Sequence, residues 1–233
     1  GEVHAVLEPT ASYHDEAALA LHEAGLPVSL VNPAQARQYA QALGIRSKTD
    51  ALDAAVLARF AAAHPPQLWT PPSPAARILQ ALLRRRDAIA ADLQRERNRQ
   101  EKLLPPPHTP EAVAASVVQS LNFLQTQLDE LQRQIEQHID QDPDLRAKRE
   151  LLLTIPGVGE RVAQNMSALM SVHDFKSADQ LSAYLGLVPV QRQSGSSILG
   201  RSKLSKNGPS HLRRLLYLPA VTASRHNPCI KAI

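Results

Sequence analysis

Asp50 and Asp53 lie three residues apart in Lys48-Thr49-Asp50-Ala51-Leu52-Asp53. On a helix their carboxylates share one face, where oxygen donors can hold a hard divalent cation such as Mg²⁺. Glu8 closes a short apolar run, Val3 to Leu7, and the carboxyl end of a strand is where an α/β layer presents site residues. Three carboxylates on one module suit metal-assisted phosphoryl transfer. From spacing alone capping is the favoured reading of the aspartates, because the macrodipole favours acids in a first helical turn without any metal. Two further segments suggest phosphate chemistry. Ile155-Pro156-Gly157-Val158-Gly159 is a tight turn whose glycines allow close backbone approach and whose following amides can donate to a phosphate. In Gln193-Ser194-Gly195-Ser196-Ser197, flanked by Arg192, Arg201, Lys203 and Lys206, a serine can attack a phosphodiester while cations stabilise the developing charge. In isolation, such a loop reads first as a flexible phosphate contact.

Strand, helix, strand and helix alternate over the first 45 or so residues. Val3–Leu7 and Val28–Val31 read as strands, Ala17–Ala24 as a helix ended by Gly25, and Pro33 to about Leu43 as a helix capped by Asn32. This order implies an α/β layer with parallel pairing. A third helix starts near Thr49 and runs to Pro65. Five prolines between Pro65 and Pro74 mark a boundary, with Trp69 as a packing anchor. Ala75–Leu104 reads as one long helix with apolar positions Ile78, Leu82, Ile89, Leu93 and Leu103, interrupted by Arg86 and by Glu96 or Arg97. After a proline-rich break at 105–110, Val117, Leu121, Leu124, Leu128, Leu131 and Ile135 repeat at 4, 3, 4, 3, 4, a heptad seam. Helices of about 30 and 35 residues would each reach roughly 45 to 50 Å. The resulting hairpin is either a spacer within the chain or a dimerisation arm. The expected parts are residues 1–70, 71–150 and 151–233. The last is mainly helical, with the glycine turn between two helices, a polar loop of about 18 residues after Pro189, and a closing helix from His211 to Ser224.

The chain has 233 residues and a net charge of +4, which is unevenly spread. Residues 1–70 hold four basic and seven acidic residues, 71–150 twelve of each, and 151–233 ten and three; from Gly186 onward there are eight cations and no carboxylate. Such polarity fits an acidic site at one end and a polyanion surface at the other. Apolar residues at 43% and charged residues at 21% exclude wholesale disorder. Aromatics at 3% point to Ala- and Leu-rich helices and disfavour base stacking as the main source of affinity. The single cysteine, Cys229, excludes an internal disulfide or a cysteine-rich zinc site. No window is apolar enough to span a membrane and no leader pattern stands at the start, so a cytoplasmic protein is expected. Nine histidines show no ligand spacing.

Together these segments resemble the DEDD-type insertion-sequence transposases, a family of RNA-guided recombinases that use a structured bridge RNA. The matching residues are Glu8-Pro9-Thr10 and Tyr13; Val31-Asn32-Pro33 with Gln35-Ala36-Arg37; Lys48 to Ala54 with Leu57-Ala58; Ile155 to Gly159; Ala183-Tyr184-Leu185-Gly186-Leu187 with Pro189; Ser194-Gly195; Ser205-Lys206-Asn207-Gly208; and Leu212-Arg213. The resemblance implies an amino-terminal RuvC-like, RNase H-type domain, a coiled-coil hairpin, and a mainly helical carboxyl-terminal domain bearing a nucleophilic serine. Of the family's four Mg²⁺-binding acids, the second, third and fourth map onto Glu8, Asp50 and Asp53, and the serine maps onto Ser194, which would form a phosphoserine link to DNA. Capping then becomes the minor role of the aspartates. The implied nucleic-acid contacts are Lys48, Gly157, Gly159, Arg192, Arg201, Lys203, Lys206, Arg213 and Arg214. The implied partners are DNA, a structured guide RNA and further copies of the chain, in a dimer or tetramer. The family's first Asp lies upstream of its Glu, but only seven residues precede Glu8 and none is Asp, so the chain is expected to lack the extreme amino terminus. Ala11 stands where the family often has Gly. A junction-resolving nuclease using metal-activated water and a non-catalytic DNA-binding scaffold are the alternatives.

Overall fold

A computed structural model describes residues 3–9, 13–47, 49–105, 107–191, 193–194, 198–199 and 201–231. They form two compact units, divided between Pro71 and Pro72. In the first, β1 (Ala5–Leu7) pairs in parallel with β2 (Val28–Leu30), Val6 opposite Ser29. Around this pair lie α1 (Tyr13–Glu23), α2 (Pro33–Ala42) and α3 (Asp50–Ala63). The parallel pairing follows from the strand–helix–strand order, because parallel neighbours need a crossover and α1 supplies it. Asn32 caps α2, its Oδ1 accepting from the Ala34 amide at 2.8 Å. The small core is Ala18, Val28, Val31, Ala36 and Val56. The proline segment closes it: the Trp69 amide donates to Val28 O at 2.7 Å and its indole meets His22 edge-on.

The second unit opens with α4 (Pro74–Gln100) and α5 (Glu111–Gln141), the two arms of a hairpin. Two expectations need correction. The α4 stripe runs through Ala76, Leu79, Leu83, Arg86, Ile89, Leu93 and Glu96, whereas Ile78 is 50% exposed. Ile89, Leu93 and the interruptions at Arg86 and Glu96 lie in the stripe as expected; the slip is in the first turns, where Leu79 and Leu83 are buried in place of Ile78 and Leu82. The second arm is also shorter than about 35 residues. Pro143 has no N–H and holds Asp142 extended, so α5 stops at Gln141 and α6 (Pro143–Leu153) begins anew, the Asp142 carboxylate accepting from the Asp144 and Leu145 amides at 3.0 and 2.9 Å. Along α5, Ile135 and Ile139 are fully buried while Leu121, Leu124, Leu128 and Leu131 are half-buried.

Next come α7 (Glu160–Val172), α8 (Ala178–Tyr184), α9 (Ser210–His226) and the short α10 (Pro228–Lys231). Leu79, Leu83, Ile135, Ile139, Leu145 and Ala168 form a core joining α4, α5, α6 and α7. Val162, Met166, Leu169, Leu185 and Leu212 form a second core under α9. Between α4 and α7, Arg86 is buried and donates to Gln164 Oε1 at 2.9 Å. The segment after Pro189, read as a loop, forms two antiparallel rungs instead: β3 (Pro189–Val190) with β6 (Lys203–Leu204), and β4 (Gln193–Ser194) with β5 (Ile198–Leu199). No described helix is long and apolar enough to cross a membrane.

Candidate active site

Glu8 follows β1 directly, and Asp50 and Asp53 occupy the first turn of α3. All three line one open concavity of about 940 Å³, floored by Val6, Leu7, Ala54, Leu57 and Ala58. The cap of α3 is Thr49, whose Oγ1 accepts from the Leu52 amide at 3.3 Å. Capping therefore needs neither aspartate, and among the described residues no hydrogen bond or ion pair holds either carboxylate. Their placement in a first turn still profits from the macrodipole.

His4 lines the same concavity and was overlooked in the sequence. Its signal was strand alternation, because His4, Val6 and Glu8 fall on one face at every second residue. Ser29 donates to Gln67 O at 2.8 Å, and His4 Nε2 lies 2.9 Å from the same hydroxyl. The serine proton is thus committed to the carbonyl, so His4 donates to this hydroxyl from Nε2.

The carboxylate set is right in kind for Mg²⁺, a hard ion that prefers oxygen, retains several waters and often takes only one or two protein carboxylates. Among the described residues no three His, Cys, Asp or Glu side chains stand close enough to enclose a cation. The three carboxylates share one concavity without forming a closed cage.

In the second unit the glycine turn joins α6 to α7. Val158 N donates to Ile155 O at 3.0 Å, with Pro156 and Gly157 at the centre and Gly157 at φ +95°, which makes it a type II turn. A Cβ on Gly157 would sit 3.0 Å from Pro219 O. This glycine therefore serves packing against α9. Gly159, the N-cap of α7, faces open space and retains the phosphate-contact possibility.

Ser194 lies in β4, its backbone paired with Ile198. Gly195, Ser196, Ser197, Arg192 and Lys48 lie outside the described residues. Arg201, Lys203, Lys206 and Arg214 are exposed. Arg213 is committed inward, Nη1 donating to Leu185 O at 3.0 Å and Gly208 O at 2.7 Å. These bonds staple the base of the hairpin, where a Cβ on Gly208 would collide with Tyr184 O at 2.1 Å. Lys206 sits beside this crossing at φ +57°, a left-handed state that costs about 1–2 kcal/mol for a non-glycine residue. Burial lowers the pKa of His173 and raises that of Tyr184, two rings packed 4.5 Å apart.

Residues 149–233 match the family described as Transposase IS116/IS110/IS902 family, and residues 1–106 match the DEDD transposase family of IS110 elements. A pilin gene-inverting protein of Moraxella bovis is 36% identical over 225 residues, covering 95% of this chain and 67% of the relative. The chain belongs to the IS110-type transposases. Its counterpart in Moraxella lacunata is 35% identical over 223 residues, with the same coverage. The transposase for insertion sequence element IS1111A of Coxiella burnetii is 28% identical over 228 residues, 87% of this chain and 61% of the relative. The chain thus spans 67% of the length of the pilin gene-inverting proteins. Transposases of this family are enzymes that cleave and rejoin DNA, and the DEDD domain implies an RNase H-like fold and a divalent metal.

Proposed function

We propose that this transposase recombines an insertion sequence with DNA by a serine nucleophile, using Mg²⁺ held by Glu8, Asp50 and Asp53 and directed by a structured guide RNA. The observation that carries the reading is the acidic concavity: three carboxylates from a strand end and a helix start face one space, and Thr49 relieves the aspartates of capping. Ser194 Oγ attacks phosphorus; the Oγ–P bond forms as the bond to a deoxyribose oxygen breaks, the serine losing a proton and the departing oxygen gaining one. Attack by an incoming deoxyribose hydroxyl on the phosphoserine reverses this and frees the serine. One phosphodiester replaces another, so no external energy source is required. When bound, the cation supplies positive charge for a phosphodiester undergoing substitution. Lys48, Arg192, Arg201, Lys203, Lys206 and Arg214, with the amides after Gly159, neutralise backbone phosphates. The acidic domain, the hairpin arm and the serine domain act as three parts. The chain works as a dimer or tetramer, supported by the half-buried middle of the α5 seam and by Phe123 and Val118 exposed beside it.

Incubating the protein with Mg²⁺, its RNA and end-labelled element DNA should give a DNA–protein adduct that survives denaturant, and Ser194→Ala should abolish it. Strand transfer undiminished by that substitution would sink the nucleophile and favour a nuclease that activates water.

A further inference from the structure

α9 has a second side that its packing does not use. Leu212 and Ala223 are buried toward the core, while His211, Arg214, Leu218, Val221 and Arg225 recur at i, i+3, i+7, i+10 and i+14, a single stripe on the opposite face. His211, Arg214, Leu218 and Arg225 are exposed. The first turn of this stripe meets cations from two other helices. Arg84 on α4 is exposed and, with Asp87 and Arg214, is near enough to perturb the titration of His211. Arg161, one residue into α7, reaches Asp87 at 3.2 Å, and Asp87 also takes Arg86 at 2.9 Å. Arg86 and Arg161 therefore hold Asp87, while Arg84 and Arg214 lie near the adjacent His211.

We propose that Arg84, Arg161, His211 and Arg214 form a phosphodiester-backbone seat where α4, α7 and α9 meet, a surface separate from the serine hairpin. The inference rests on the nucleic-acid reading above and extends it to the base of the arm. Guanidinium groups present several donors in a plane that match phosphate oxygens two at a time. Asp87 fixes the buried Arg86 and the base of the cluster without cancelling it. Burial, Arg214 and Arg84 all push the His211 pKa down against the opposing pull of Asp87, so at neutral pH the ring is an uncharged donor among the arginines. Arg214 and Arg225 stand about 16 Å apart along the helix, which gives the stripe a cation at each end.

Fluorescence anisotropy with a labelled duplex DNA of about 30 base pairs, and separately with a labelled hairpin RNA, tests the seat over a range of potassium chloride. Arg84→Gln with Arg214→Gln should weaken binding at least about tenfold at ~100 mM salt and reduce the slope of log affinity against log salt by about 2. Asp87→Asn should strengthen binding. Arg133→Gln, which removes an α5 cation paired with Glu130, should leave the slope unchanged. A loss confined to one probe identifies the strand that occupies the seat. If the wild type binds and the double variant keeps its slope with both probes, the seat is refuted and the broader reading survives. If the wild type binds neither probe, both fall.

Discussion

Charged side chains are managed differently in the two units. Along the arm and α6, acids stand beside bases at helical spacing: Asp92 with Arg95, Glu96 with Arg99, Glu130 with Arg133, Asp144 with Lys148. The exposed pairs each contribute only a few tenths of a kcal/mol and keep a long helix soluble, while Arg99 reaches from the surface to the buried Glu96. Asp50 and Asp53 in the first unit share a turn, repel one another and line a concavity, an arrangement that stability alone does not explain. Opposite charge at helical spacing fits a scaffold, whereas the two aspartates on one concavity fit the chemistry proposed above. The difference is experimentally accessible because both sets lie at helix surfaces.

The largest effect should come from Asp50→Asn with Asp53→Asn, which should lower DNA cleavage at least about a hundredfold while urea unfolding shifts by less than about 1 kcal/mol. A similar loss from Glu130→Gln with Arg133→Gln would break the contrast. Next, Leu79→Ala should cost about 2–5 kcal/mol in urea unfolding, whereas Ile78→Ala should cost well under half of that, a pair that sharpens the corrected α4 stripe. Arg213→Gln should cost about 1–3 kcal/mol and leave the salt slope of DNA binding unchanged, which separates a staple from a phosphate contact. The smallest effect concerns pH. Burial lowers the His173 pKa in the folded state, so the unfolded chain binds more protons, and stability is lost as pH falls through about 6.5 and below. The change should be under about 1 kcal/mol, and His173→Phe should flatten it.

Local rules in the sequence were sufficient for much of the first unit. The cap at Asn32, the helix start near Thr49, the parallel strand pair, and the carboxylates at a strand end and a first turn all depend on neighbours within a few residues, whereas capping by Thr49 rather than by the aspartates was not foreseen. His4 was equally local and was passed over because histidines were searched for metal spacing and not for strand alternation. In the arm the interruptions at Arg86 and Glu96 were legible, but what tolerates Arg86 there was not, because its partner Gln164 stands 78 residues away. The crossing at Gly208 was illegible for the same reason. It depends on Tyr184 and Arg213 arriving at one place, and no spacing rule connects them. The serine loop was read as irregular because its strands are two residues long, below any detectable period.

The chain has one tryptophan, and it lies wholly within the first unit, its amide on Val28 and its ring against His22. Its emission therefore reports on residues 1–71 and is silent about unfolding elsewhere. Fluorescence and helical circular dichroism, recorded on one sample, would separate the melting of the acidic unit from that of the helical one. A divalent ion that binds the concavity would raise the first transition alone.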